Sequence, residues 1–303
     1  MQYLFRGNKN IYKANLHCHT TLSDGSKSVE EIKKMYKEQG YQIIAYTDHD
    51  KLIAHTDLNE KDFLALTAVE YAINQTKPGH KCYHLNLYAP AQNVTNAPAP
   101  PTMTYDDIDA INQYIAERVS EGFLVSYNHP YWSMQSWADY HNLKGCFAME
   151  IYNHGCEVEG YYGYNPQAYD EILREGNKLF CVSVDDNHNR NPANSDSFGG
   201  FVKINSESLK YSDVMTALYN GDFYSSQGPE IFEIALDGNK LSVKCSPATL
   251  IVVYTDTRNC YIEKGHPTIS QAEFQLSGNE QYIRVMCRDQ DKKDANSNAY
   301  WLC

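Results

Sequence analysis

The first three-quarters of the chain alternate short apolar runs, rich in β-branched and aromatic residues, with longer stretches of helical pattern. Continuous apolar runs of this length are typical of strands buried on both faces of a parallel sheet. Their alternation with helices indicates βαβ units, and so many strands favour a closed or nearly closed parallel barrel over an open sheet. The seven runs cover residues 14–19, 42–47, 64–70, 123–128, 146–152, 179–184 and 200–204.

Helix start and stop signals lie between these runs. Ser28 is followed three residues later by Glu31, which fits a capping box at a helix start. Glycines follow three of the predicted helices, as expected where a helix ends. We predict helices over residues 28–39, 105–121, 166–175 and 212–219, and a long loop over residues 76–104 that carries a short strand at 83–88.

The pattern changes after Gly228-Pro229, a pair of residues that commonly interrupts regular structure. Short alternating segments follow, and Asp237-Gly238 between the first two predicts a hairpin. We therefore predict two domains, a barrel over residues 1–228 and a small antiparallel β-sandwich over residues 229–303.

Composition excludes several classes of protein. A formal net charge of −12 disfavours stable binding to nucleic acid, which needs a basic surface. No apolar run reaches the roughly 18 residues of a membrane span, and the N-terminus lacks the features of a signal peptide, so we expect a cytoplasmic protein. The nine cysteines are odd in number and form no Cys-x-x-Cys, which favours thiols buried in the core.

Histidines and carboxylates gather at the predicted strand ends. Ten of the eleven histidines precede residue 190. His17 and His19 close the first strand two residues apart, so both imidazoles point to the same face, and Asp186 and His188 repeat this spacing. Active sites of α/β barrels lie at the carboxyl ends of the strands, so we predict a metal site at that rim. Its other candidate ligands are Asp24, His49, Glu70, His84 and His129.

These residues resemble the polymerase-and-histidinol-phosphatase (PHP) family in order and spacing over roughly residues 12–228. The similarity lies in His17-Cys18-His19, Ser23-Asp24-Gly25, Thr47-Asp48-His49, Glu70, His84, His129-Pro130 and Asp186-Asn187-His188. It implies a distorted (β/α)7 barrel with two to three divalent ions of zinc, manganese or iron. It further implies that His17, His19 and Asp186 hold one ion, that His84 and His129 hold a second, and that Glu70 bridges these two. Asp24, His49 and His188 would hold the third ion.

Charge favours a phosphate ester as the substrate of such a centre. Three ligand carboxylates contribute about −3 against about +6 from three divalent ions, so the site attracts a phosphoryl group. A water shared by two ions would be the nucleophile, so no separate side-chain base is assigned. The acidic chain and its seven arginines favour a small phosphomonoester such as a nucleotide or sugar phosphate. The alternatives are a phosphodiesterase or 5'-3' exonuclease acting on short oligonucleotides, and a catalytically silent metal-binding module.

Four further residues are candidates for supporting roles. Asp48 and Asp185 neighbour predicted ligands and would either orient imidazoles or cap turns. Glu150 ends the fifth strand and would contact a ligand or the substrate, and Arg190 is a candidate phosphate clamp. A tyrosine-rich stretch at residues 160–164 would stack on a ring of the substrate or lie on the surface. We expect a surface position for His154 and no metal at His55, His80, His141 or His266.

Overall fold

The computed structural model of the protein describes residues 1–76, 80–94, 97–193 and 195–302. Cys303 and parts of the predicted loop at 76–104 lie outside these residues. The described strands, sixteen in all, join in one hydrogen-bonded sheet. They are β1 (Gln2–Arg6), β2 (Asn10–Asn15), β3 (Ile43–Tyr46), β4 (Leu64–Asn74), β5 (Cys82–Tyr88), β6 (Leu124–Tyr127), β7 (Ala148–Asn153), β8 (Phe180–Val184), β9 (Phe201–Ser206), β10 (Phe223–Ser226), β11 (Ile231–Asp237), β12 (Lys240–Thr255), β13 (Cys260–Gln275), β14 (Tyr282–Arg288), β15 (Asp294–Ser297) and β16 (Tyr300–Trp301).

The four predicted helices are confirmed, with ends shifted by up to three residues. The Ser28 side chain accepts a hydrogen bond from the Glu31 amide, and the Glu31 carboxylate accepts one from the Ser28 amide, so the capping box is present. Two short helices were not predicted, because their sequences lack an apolar period. The helices are α1 (Val29–Glu38), α2 (Ile108–Ser120), α3 (Trp137–Tyr140), α4 (His154–Gly160), α5 (Pro166–Arg174) and α6 (Tyr211–Asn220), with a 3-10 turn at Thr56–Leu58.

Strand directions follow the prediction only in part. The pairs β2/β3, β3/β4, β6/β7 and β7/β8 are parallel, as expected for βαβ units. The predicted short strand inside the loop is instead a full member of the sheet, β5, antiparallel to both β4 and β6. The last predicted barrel strand, β9, pairs antiparallel with β2. An apolar run indicates that a strand is buried on both faces. It does not indicate which strand lies next to it, or whether that neighbour is parallel or antiparallel.

The hydrogen bonds among the described strands do not complete a closed barrel, so of the predicted closed or nearly closed barrel the closed form is not established. Their hydrogen-bonded order runs β1-β11-β12-β14-β15-β10-β9-β2-β3-β4-β5-β6-β7-β8 and does not return to its start. An isolated parallel bridge between Cys18 and Asn187 nevertheless joins the segments that follow β2 and β8. The Asp186 amide donates to the His17 carbonyl at 2.9 Å, and the His19 amide to the Asn187 carbonyl at 3.1 Å. These contacts bring the two richest ligand segments side by side.

The tail strands are antiparallel, as predicted, but they continue the same sheet. β10 pairs on one side with β9 and on the other with β15. The predicted separate β-sandwich is therefore not established. The N-terminal strand β1 pairs with β11, and its Phe5 packs in the tail core. Conversely, Tyr282 and Ala299 of the tail pack in the cluster that α2 and α5 form with β4 to β8.

No helix in the described ranges is long and apolar enough to cross a membrane.

Candidate metal centre

His17 and His19 meet over the end of β2. Their Nε2 atoms lie 3.1 Å apart, and both face the carboxylates of Glu70 and Asp186. Cys18 between them is fully buried on the opposite side, in the cluster that contains Ile32 and Tyr36 of α1. The spacing of two residues therefore places both imidazoles as predicted.

Glu70 lies at the centre of the cluster. The prediction that its strand ends there is wrong, because β4 continues to Asn74 and pairs with β5. Glu70 Oε2 lies 3.3 Å from His17 Nε2, 3.2 Å from His19 Nε2 and 3.2 Å from His49 Nδ1. Its Oε1 lies 3.0 Å from His84 Nδ1 and 3.5 Å from His129 Nε2. The two carboxylate oxygens thus face two different sets of imidazoles.

Asp186 and His188 enter from the end of β8. Asp186 has a φ of 52°, in the left-handed region that few residues other than glycine adopt. Its Oδ1 lies 3.1 Å from the Nε2 atoms of both His17 and His19. His188 Nε2 lies 3.4 Å from Asp24 Oδ1. Backbone strain that aims a side chain into a cavity is common at functional sites.

The nine predicted ligands form three groups of converging donor atoms. Within each group all the donor atoms lie within 4.8 Å of one another. His19 belongs to two groups, and Glu70 joins two. The groups are His17, His19, Glu70 and Asp186; Glu70, His84 and His129; and His19, Asp24, His49 and His188.

The spacing within the first group fits a metal ion. Ligand atoms at about 2.0 to 2.2 Å from zinc lie roughly 3.0 to 3.5 Å from one another. The nitrogen-to-carboxylate distances in this group are 3.1 to 3.3 Å. Asp186 Oδ1 is buried and has no hydrogen-bond partner among the described residues. A buried oxygen without a donor, facing two imidazole nitrogens, is the arrangement expected at a cation site.

Comparison with known proteins identifies a family for the chain. Residues 15–211 match the PHP domain family. The chain belongs to this family. A search of curated proteins finds no match. The chain is similar over its whole length to a two-domain protein from Bacteroides vulgatus that contains a predicted PHP-like metal-dependent phosphoesterase. The identity is 16%, 100% of this chain and 97% of that chain are covered, and the TM-score is 0.51. This likeness extends the shared fold to the tail.

Two more solved structures cover mainly the PHP segment. A candidate metal-dependent phosphoesterase from Bifidobacterium adolescentis is 14% identical, over 60% of this chain and 90% of that chain, with a TM-score of 0.40. An amidohydrolase from Chromobacterium violaceum with bound sulfate is 12% identical, over 58% of this chain and 87% of that chain, with a TM-score of 0.38.

Charges in the PHP site stabilise one another strongly. Burial opposes a charge on His17, but the carboxylates of Asp186, Glu70 and Glu150 outweigh it and raise the pKa of His17 well above its usual value. Burial is likewise outweighed at His19, where Asp186 and Glu70 raise the pKa to about 9. Burial alone would raise the pKa of Glu70, yet His17 and His84 hold that pKa well below its usual range. Protons and metal ions therefore compete for the same donors.

Glu150 supports the centre from behind. Its Oε1 accepts a hydrogen bond of 2.6 Å from His17 Nδ1, which leaves His17 Nε2 facing Glu70 and Asp186. Its Oε2 accepts from the His129 amide at 2.9 Å and from Asn153 Nδ2 at 2.8 Å. Of the two roles predicted for Glu150, these contacts match the one that positions a ligand.

Three supporting residues were missed by the sequence analysis. Asn153 Nδ2 also donates to Asp186 Oδ2 at 3.0 Å, and Asn128 Nδ2 donates to Glu70 Oε1 at 2.9 Å. Ser133 Oγ lies 3.1 Å from His129 Nδ1. Both asparagines end predicted strands beside predicted ligands, and this position was the one indication in the sequence. It was not decisive, because asparagine at a strand end is also common in turns.

Asp48 and Asp185 contact backbone and hydroxyl groups, which matches the turn-capping alternative. Asp48 Oδ1 accepts from the amides of Thr20 and Ser23 at 2.8 and 3.1 Å, which secures the turn leading to Asp24. Asp185 accepts from three successive amides, 198 to 200, and from the Tyr36 hydroxyl.

The proposed ligands other than His17 and His19 line a cavity of about 460 Å³. Arg190, the predicted phosphate clamp, lies at its edge, where its Nε donates to the Asp24 carbonyl at 2.7 Å and its Nη2 contacts the Asp24 carboxylate. Trp132 lines the opposite wall, and α4 contributes Cys156, Val158 and Glu159. The histidines predicted not to bind metal are absent from the donor groups of the described residues.

Proposed function

We propose that this PHP protein hydrolyses a small phosphomonoester, such as a nucleotide or a sugar phosphate, with two or three divalent ions of zinc, manganese or iron. The observation that carries the proposal is the sharing of His19 and Glu70 between donor groups, together with the cavity that Glu70 and six other proposed ligands line. Sharing of this kind would keep two or three bound cations close enough to act on one phosphoryl group. The proposed ligands are His17, His19, Asp24, His49, Glu70, His84, His129, Asp186 and His188.

The chain's own groups define how such a site would operate. When bound, the ions would supply Lewis acidity and lower the pKa of a water molecule. Glu70 keeps two donor groups adjacent, because its Oε1 and Oε2 face different imidazoles. Glu150 holds His17 with Nε2 toward Glu70 and Asp186. Arg190 reaches the same cavity and carries the guanidinium geometry that matches a phosphate.

Charge favours a small substrate over a polyanion. Residues 1–228 carry 18 lysines and arginines against 28 aspartates and glutamates. Among the described residues that line the cavity, Arg190 is the only lysine or arginine, and it already contacts Asp24. Long-range repulsion therefore penalises an oligonucleotide more than a single phosphate, and most at low salt.

The test is phosphate release by protein loaded with manganese or zinc. We expect a higher kcat/KM for a nucleotide or sugar phosphate than for a single-stranded oligonucleotide, with a gap that narrows as salt rises. His17→Ala and Asp186→Ala should each lose more than about tenfold in kcat, or about 1.4 kcal/mol of transition-state stabilisation. His141→Ala is the matched control, because His141 stacks on Trp137 outside the donor groups.

Three results would contradict parts of the proposal. Faster cleavage of the oligonucleotide would favour the phosphodiesterase alternative. Full binding of metal without hydrolysis of either substrate would favour the silent module. Fewer than one metal equivalent by elemental analysis in active protein would exclude a centre of several ions.

A further inference from the structure

Trp132 forms a wall shared by two cavities. On one side its indole ring lies 5.0 Å from the ring of His129 and 5.9 Å from that of His84, measured between centroids, above the donor groups. On the other side it lines a second cavity of about 370 Å³. That cavity is lined by Tyr131, Trp132, Met134, Gln135 and Tyr162, so it is almost entirely aromatic or thioether in character.

The turn that carries these side chains is held firmly while their faces stay exposed. The Gln135 side chain accepts from the Tyr127 hydroxyl at 2.5 Å and donates to the Tyr105 hydroxyl at 3.0 Å, all in the interior. The Tyr131 amide donates to Asn165 Oδ1 at 3.0 Å. Tyr131 nevertheless keeps 54% of its surface exposed and Trp132 keeps 37%. A fixed, exposed aromatic surface loses little conformational entropy when a ligand binds.

The orientation of Trp132 is fixed as well. Its indole N–H donates to Glu159 Oε2 of α4 at 2.9 Å, and both side chains line the metal-site cavity. Tyr162, from the tyrosine-rich stretch, packs edge-to-face on Tyr131 with ring centroids 5.1 Å apart and an angle of 81°. Trp132 therefore lines both cavities, and Tyr131 and Tyr162 line the second one beside it.

The charges around the second cavity indicate what kind of chemical group it could bind. The second cavity is lined by no charged side chain among the described residues, and the metal-site cavity beside it is lined by Glu159. A second phosphate or carboxylate on the substrate would be repelled by the Glu159 carboxylate and would find no cation beyond it. An uncharged planar ring gains from stacking on the indole face.

We infer that Trp132, with the second cavity beside it, binds the leaving group of the substrate and selects phosphomonoesters whose alcohol carries an uncharged aromatic ring. This inference rests on the proposed phosphomonoesterase function and names its substrate class. With the phosphate at the donor groups, the ring lies against Trp132 and reaches toward Met134 and Tyr162. Trp132 is a specificity residue and has no part in bond cleavage.

The test compares 2-phenylethyl phosphate with 2-cyclohexylethyl phosphate on metal-loaded protein. Both release a primary alcohol, so intrinsic leaving-group reactivity is closely matched, and the saturated ring is the more hydrophobic. We expect wild-type protein to have a higher kcat/KM for the aromatic ester. Trp132→Leu should lower the aromatic-to-saturated ratio about three- to tenfold, mainly through KM, since stacking contributes that much. Trp132→Phe should keep most of the ratio, and Trp137→Leu, an exposed tryptophan outside both cavities, should keep all of it.

An equilibrium readout separates binding from turnover. Calorimetry with the hydrolysis-resistant 3-phenylpropylphosphonate should show the same three- to tenfold loss of affinity in Trp132→Leu. Equal kcat/KM for the two esters in wild-type protein, or an unchanged ratio in Trp132→Leu, would overturn the inference while leaving the hydrolase intact. Dimerisation of wild-type protein that Trp132→Leu abolishes would assign the patch to a second copy and overturn it too. Hydrolysis of neither ester, nor of glycerol phosphate, would instead refute the proposed function.

Discussion

Glu150 contacts two proposed ligands at once, the His17 ring and the His129 amide. Glu150→Gln preserves the shape but removes the charge that orients and polarises His17, so we expect metal affinity to fall about 10- to 100-fold. Competition with a chelator measures this change. Glu117→Gln on α2 is the control, because Glu117 is exposed and its carboxylate contacts Gln113 and Arg118 of the same helix. Wild-type affinity in Glu150→Gln would show that Glu150 does not position His17.

Protonation of His17 and His19 has a consequence for metal binding. In the metal-free protein, nearby carboxylates outweigh burial and raise the pKa values of both imidazoles, to about 9 for His19, which favours their protonated forms at neutral pH. Zinc needs neutral imidazole, so binding at pH 7 should release about two protons, and apparent affinity should rise with pH up to about 9. Calorimetry in buffers of different ionisation enthalpy counts the released protons. Binding without proton release would mean that these imidazoles are neutral.

For single residues, the sequence predicts which proposed ligands converge, but not which other side chains hold those ligands in place. His17 and His19 are predictable because a spacing of two residues in an extended segment has one geometric outcome. Asn153 and Asn128 are not, because an asparagine at a strand end looks the same whether it caps a turn or donates to a ligand. The sharing of His19 between two donor groups depends on ring orientation, which spacing does not encode.

The turn between β2 and α1 is the element that carries Asp24, and Asp48 holds it. Asp48 accepts four hydrogen bonds from the amides and hydroxyls of Thr20 and Ser23. Asp48→Ala should loosen this turn. We expect it to lower the binding affinity of one proposed ion, the one held by Asp24, His49 and His188, by about tenfold or more. Stepwise removal with a chelator, followed by elemental analysis, should show one equivalent lost early. Asp57→Ala, in the exposed 3-10 turn, should leave all equivalents in place. Equal weakening of every ion by Asp48→Ala would contradict a local role.

Elements with their own start and stop signals are the predictable ones. Ser28 and Glu31 define the start of α1, and Gly40 with a φ of 75° follows its end. By contrast, α4 has the sequence HGCEVEG, which has no apolar period, and it begins directly after β7, where Asn153 caps it. The position of α4 depends on contacts with residues distant in sequence, so no local sequence pattern predicts it. The antiparallel direction of β5 and β9 likewise depends on long-range contacts.

Across the whole molecule, one sheet connects the PHP segment with the tail. The domain boundary predicted at residue 228 stays a prediction, and the contacts across it are extensive. Asn298 donates to the carbonyls of Gly221 and Phe223 at 3.0 Å, and its Oδ1 accepts from the Cys181 amide. A change of pattern in the sequence locates where the strand type changes, but it does not reveal that the new strands pair with the old ones.

Arg284 of β14 forms a buried ion pair across this junction. It is almost fully buried, its Nε and Nη2 donate to the two oxygens of Asp170 in α5 at 2.6 and 2.7 Å, and its guanidinium lies 3.9 Å from the Tyr254 ring centroid. Asp170→Ala would leave a buried charge without a partner, so we expect the free energy of unfolding to fall by about 3 to 5 kcal/mol. Glu273→Ala, which breaks an exposed pair with Lys240, should cost less than about 1 kcal/mol.

Fluorescence can show whether the two segments unfold together. Trp301→Phe leaves tryptophans only in the PHP segment, whereas Trp132→Phe with Trp137→Phe leaves only the tail tryptophan. Because Tyr282 and Ala299 of the tail share a core with α5, both probes should report one coincident guanidinium transition, and Asp170→Ala should shift both equally. Separate transitions for the two probes would show that the tail is an independent domain, and the Arg284–Asp170 pair would then contribute to docking alone.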